Sequence, residues 1–103
     1  MNQFKFDKRT DALFEAILSL KSTKEAEEFF RDLCTIKELE DMRDRWEIAR
    51  LIKKGVPYRE ISQKLNVSTT TVSRVANWLN NGMGGYRLIL DRIDKIHHAT
   101  PSR

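Results

Sequence analysis

Cysteine, proline and glycine are all scarce in this sequence: one Cys, two Pro and four Gly in 103 residues. A lone cysteine, Cys34, excludes an internal disulfide and with it the disulfide-stapled secreted scaffold; a reducing, cytoplasmic setting fits. The few glycines and prolines exclude collagen-like and low-complexity chains and leave few places for turns. No run approaches the roughly 20 apolar residues that span a bilayer, and the opening MNQFKFDKRTD lacks the apolar segment of an export signal. Neither a membrane nor secretion is expected. Acid is scarce in one half only. Residues 51–103 hold nine Lys/Arg against three Asp/Glu, net +6, whereas residues 1–50 hold ten against twelve, net −2. A basic half beside a slightly acidic one points one surface at a polyanion, although solvated charges on a mildly basic protein would look the same.

What is present is helical periodicity. Hydrophobic residues make up 40% and charged residues 33%, a globular balance, and one domain is expected over residues 1–103. Residues 10–20 place Leu13, Phe14, Ile17, Leu18 and Leu20 on one wide face of a helix. Ser22-Thr23-Lys24-Glu25 has the spacing of a capping box, with Glu25 reaching back to the Ser22 amide, ahead of a helix burying Ala26, Phe29, Phe30 and Leu33. Thr35-Ile36-Lys37-Glu38 repeats the box and opens a long helix with Leu39, Met42, Trp46, Ala49 and Ile52 inward. Gly55 and Pro57 end it. A short helix follows to Leu65, a turn at Asn66-Val67, then a helix capped by Ser68 that runs to about Asn80. After the loop Gly82-Met83-Gly84-Gly85, a last helix carries Tyr86, Ile89, Leu90, Ile93 and Ile96, and residues 97–103 form a flexible tail. The fold class is all-α, with six helices and no sheet.

The stretch 58–79 is a helix-turn-helix. Two short helices crossing at about 90–120° need apolar residues facing one another across a tight turn. Ile61, Leu65, Val67, Val72, Val75 and Leu79 supply them. Ser62 is small where the helices approach, and Asn66 stands where the chain must turn with positive φ. The other face of the second helix carries Thr69, Thr70, Ser73, Arg74 and Asn77, with no carboxylate anywhere on the helix. Short polar and cationic groups of this kind approach base edges and phosphates, so duplex DNA is the expected partner. Ser68, Thr71 and Lys64 complete the expected contact set, and Lys53 and Lys54 are further phosphate contacts or plain surface lysines. The competing reading is a helical hairpin that docks a protein instead.

With these residues in place, the chain resembles the Trp repressor superfamily, and within it the YerC/YecD-type branch. The resemblance spans roughly residues 10–96. It rests on the order of the six helices, the Thr35-led third helix, Gly55 and REISQKLNVSTTTVSRVANWL at 59–79. It implies an intertwined homodimer and a two-fold duplex site with recognition helices roughly 34 Å apart. It implies that Arg59 reaches a guanine, with Thr69, Thr70 and Ser73 nearest the major groove. It also implies a tryptophan corepressor pocket, in which Thr35, Arg45 and Arg74 match the family's polar contacts. Two positions depart: Val75 stands where the family has a glycine, and Trp78 where it has a serine. Both add bulk where the ligand would lie, so tryptophan is not expected to bind, the Trp78 indole is expected in or near the site, and any other small-molecule effector is left unidentified. Thr35 has a second reading as a helix cap, and the two arginines as partners of phosphate or of neighbouring acids.

Other features carry less. Trp46 is expected in the core and Cys34 to be buried or half-buried. His97 and His98 are adjacent, point apart and make no metal site. The Gly82–Gly85 loop lacks the lysine of a phosphate loop. No Ser/His/Asp set or carboxylate pair stands at a plausible catalytic site, so no enzyme, cofactor or metal is expected.

Overall fold

Side chains cap the starts of most of the helices. A computed structural model describes residues 4–99, and among these it forms α1 (Lys8–Leu18), α2 (Thr23–Leu33), α3 (Ile36–Lys53), α4 (Tyr58–Leu65), α5 (Thr69–Asn81) and α6 (Gly85–Ala99). No strand occurs among the described residues, and no helix there is long and apolar enough to cross a membrane. Asp7 starts α1 ahead of the apolar stripe, accepting from the Thr10 N–H and hydroxyl, each at 2.9 Å. Those two bonds lower the Asp7 pKa. Ser22 accepts from the Glu25 N–H, but the Glu25 carboxylate takes the Lys21 amide at 2.9 Å rather than that of Ser22, so this box closes one residue earlier than expected. Thr35 and Glu38 close theirs reciprocally, at 3.1 and 2.8 Å.

Gly55 ends α3 as expected. Its φ is +85°, its N–H donates to the Ile52 carbonyl, and the Val56 N–H reaches back to that of Leu51. Helix α6 runs on to Ala99, so His97–Ala99 are helical where a tail was expected; residues 100–103 lie outside the described residues.

The described chain forms two units, one ending at Leu39 and the other beginning at Glu40. In the first, α1 and α2 bury no residue at all. Phe29 and Phe30 are only half-buried, and Leu33 and Leu18 are exposed, Leu18 at 84%. The second unit holds the core: Ile48, Ala49, Leu51, Ile61, Val72, Val75, Leu79 and Leu90 form one buried cluster, with Trp46, Ile52, Val56, Leu65, Val67 and Tyr86 packed on it. Ile48 and Leu51 replace part of the inward face expected for α3. In the run Ile48-Ala49-Arg50-Leu51-Ile52 every residue but Arg50 is apolar, so periodicity alone could not choose the buried side.

Removing the Thr35 hydroxyl tests whether its role is the cap. Thr35→Ala should cost about 1 kcal/mol of stability in denaturant unfolding, and Thr35→Ser should recover most of it.

Candidate nucleic-acid interface

The turn between α4 and α5 is built by two residues. Asn66 sits in the left-handed region at φ 55°, ψ 49°. The Ser62 carbonyl accepts from the N–H groups of both Asn66 and Val67. The Ser62 hydroxyl in turn donates to the Val67 carbonyl. Ser62 therefore does more than leave room: its hydroxyl satisfies a carbonyl in the turn that the hairpin withdraws from water. No sequence spacing signals that bond.

Helix α5 divides cleanly into two faces. Val72 and Val75 are wholly buried, and Ala76 and Leu79 nearly so. Thr69, Thr70, Ser73, Arg74 and Asn77 are all exposed. Asn77 uses its Oδ1 to accept from Asn81 at 3.0 Å, leaving its two N–H donors for another partner. Ser68 and Thr71, also in the expected contact set, have a structural role as well. Ser68 Oγ caps the helix by accepting from the Thr71 N–H, and the two hydroxyls bond at 2.9 Å, so both are engaged in starting α5.

Arg59, Lys54 and Lys64 are exposed. No ion pair among the described residues holds Arg59, Lys54, Lys64 or Arg74. Lys53 is different. Its ammonium bonds Asp91 at 2.6 Å and Asp94 at 2.8 Å, and these bonds raise its pKa. That side chain is directed to α6, not to a phosphate. The signal was absent locally because its nearer partner lies 38 residues away.

The residues expected around an effector are separated by role. Thr35 is a cap in the first unit. Val75, 0% exposed, is core. Arg74 is exposed, and Arg45 is half-buried. Trp78, 45% exposed, lines an apolar groove of about 560 Å³ with Trp46, Met83, Tyr86 and Ile89. Tyr86 stacks on Trp46 with ring centroids 6.2 Å apart and planes at 19°. Burial raises the Tyr86 pKa, while the Arg45 charge pulls it down. A phenol whose folded pKa is raised gives full stability below its unfolded pKa of about 10, and stability falls as pH rises through the raised value. In Tyr58→Phe, where Tyr86 is the one remaining phenol, ultraviolet titration should find its ionisation above that of free tyrosine; an ordinary value would contradict the burial.

Comparison with known proteins follows this geometry closely. A model of the Trp repressor protein family matches residues 8–94. The protein YerC of Bacillus subtilis (strain 168) is 41% identical over 96 residues, covering 93% of this chain and 92% of its own. The crystal structure of a TrpR-like protein from Eubacterium eligens ATCC 27750 superposes with a TM-score of 0.82 at 40% identity, over 85% of this chain and 91% of that one. A solved structure from Staphylococcus aureus gives the same TM-score at 41% identity, over 85% of this chain and 88% of its own.

Proposed function

The chain belongs to the Trp repressor family, and from that premise we propose that it is a sequence-specific DNA-binding transcriptional regulator, acting in the cytoplasm as a homodimer. The observation that carries the reading is the two-faced α5. One side is locked into the core by Val72 and Val75, and the other offers Thr69, Thr70, Ser73, Arg74 and Asn77 with no acid on the helix. Burial of one face fixes the rotation of the helix, so the same five side chains always face outward. Arg59, Lys54 and Lys64 add cations that no carboxylate among the described residues neutralises.

Dimerisation is supported by the first unit. Two helices with no fully buried residue leave Phe14, Leu18 and Leu33 exposed, and a second copy of the chain would cover them. Two copies present two recognition helices to a two-fold site.

The same side chains argue against tryptophan as corepressor. Val75 puts a branched, fully buried side chain where the family has a glycine, and Trp78 brings an indole of its own to the Trp46–Tyr86 groove. Calorimetric titration with tryptophan should give no saturable heat; one site per chain would overturn this part. For DNA itself the test is a gel shift on mixed duplex at two salt concentrations. Binding should weaken steeply with salt, as neutralised phosphates release their counterions. Absence of binding at low salt would favour the protein-docking hairpin.

A further inference from the structure

The angle at which α5 stands is not fixed by the chain that leaves it. Three of the four residues from Gly82 to Gly85 are glycine. Gly82 is needed because a Cβ there would lie 2.4 Å from the Trp78 carbonyl oxygen, and Gly84 because its φ is +88°. Met83 between them is 91% exposed and holds nothing in place. A connection of this kind carries few side chains that could brace the angle between α5 and α6. Leu79 and Leu90 belong to one buried cluster, which sets the faces that meet but, being non-directional, leaves the tilt between the helices to polar contacts.

Directional contacts come from one face of α6. Arg87 donates through Nε to the Leu79 carbonyl at 3.1 Å and through an Nη to Asn80 Oδ1 at 2.8 Å. The last turn of α5 has no basic residue of its own, so Arg87 supplies from another helix the cation that the carbonyl end of a helix favours. Asp91 and Asp94, four and seven positions further along α6, hold Lys53 at the end of α3. Residues at i, i+4 and i+7 share a helix face. That face thus grips the chain just before the helix-turn-helix begins and just after it ends.

We propose that Arg87, seconded by the Asp91/Asp94–Lys53 tie, is a positioning residue that sets the pitch of the reading head and thereby the half-site spacing the protein accepts. The inference rests on the DNA-binding reading, since spacing has meaning only for a two-fold duplex site. Arg87 carries most of it. Its bond to the Leu79 carbonyl is part-buried, whereas its bond to Asn80 and the Lys53 pairs are exposed, and exposed ion pairs hold geometry weakly. Both cations reach two acceptors, but the guanidinium holds its N–H donors in a rigid plane and so resists rotation in a way that a freely turning ammonium does not.

The test compares wild type, Arg87→Met, Arg87→Lys and Asp91→Asn/Asp94→Asn on duplexes carrying two copies of the selected half-site with the spacer stepped one base pair at a time. Wild type should prefer one spacing. Arg87→Met should lose about tenfold of that preference while its salt dependence and melting midpoint stay close to wild type. Arg87→Lys should recover part of it, and the Asn pair should show a smaller loss. Hydrogen exchange without DNA should speed up in the last turn of α5 in Arg87→Met and stay slow at Val72. An unchanged spacing preference with unchanged exchange would overturn the proposal. So would a uniform loss at every spacing accompanied by a lower melting midpoint, which is the signature of a merely structural residue. If wild type binds no specific duplex, the DNA-binding reading fails and the spacing claim falls with it. The exchange measurement then still reports whether Arg87 holds α5.

Discussion

Arg74→Glu should remove DNA binding, lowering affinity on the order of a hundredfold or more while the fold stays intact. Two effects combine. The variant loses a cationic contact of the kind worth ~1–3 kcal/mol at a base edge or phosphate. It also places a carboxylate in the middle of an outer face that has none, directly against the polyanion. Arg74 is exposed and has no ion pair among the described residues, so stability should change by no more than about 0.5 kcal/mol. Fluorescence polarisation on a labelled duplex, paired with thermal unfolding by circular dichroism, reads both quantities. Wild-type affinity in this variant would remove α5 from the interface.

The second large effect falls on stability. Ile61 is wholly buried on α4 and joins Ile48 of α3 to Val72 and Val75 of α5 in one cluster. Ile61→Ala removes buried methyl groups and leaves a cavity that rigid helices close only in part. The expected cost is about 2–5 kcal/mol, against a total stability of roughly 5–15 kcal/mol for a domain. Denaturant unfolding should therefore show a large fall in midpoint, and DNA binding should fail on warming before it fails in the cold. A cost below about 1 kcal/mol would mean that the α4–α5 hairpin does not depend on this core.

The features legible in the sequence are those fixed by neighbours a few residues apart. Asn66 in a left-handed turn, Gly55 closing α3, the Thr35–Glu38 box and the Ser68 cap each involve groups within about one helical turn, and each stands where spacing put it. The division of α5 into a buried and an outer face was legible for the same reason: valines and a leucine at 72, 75 and 79 follow the helix period. Contacts between distant parts of the chain were not legible. The Lys53 pairs with Asp91 and Asp94, the stacking of Trp46 on Tyr86 and the bond from Arg87 to Leu79 depend on which faces meet once the helices pack. Ser62 shows the limit within a single motif. Its small size was legible from the need for close approach, whereas the bond of its hydroxyl to Val67 appears only when the turn is built. The departures Val75 and Trp78 gain a physical account from the same packing: one is core, and the other is a wall of an aromatic groove.

Selection of bound sequences from a random duplex pool tests the central claim most directly. On the proposed reading the helix-turn-helix should enrich a palindrome whose half-sites lie about one helical turn apart, roughly 34 Å. Repeating the selection with Arg74→Glu should enrich nothing. A pool that shows no motif with the wild-type protein, or the same motif with the variant, would contradict the assignment of α5 as the element that reads DNA.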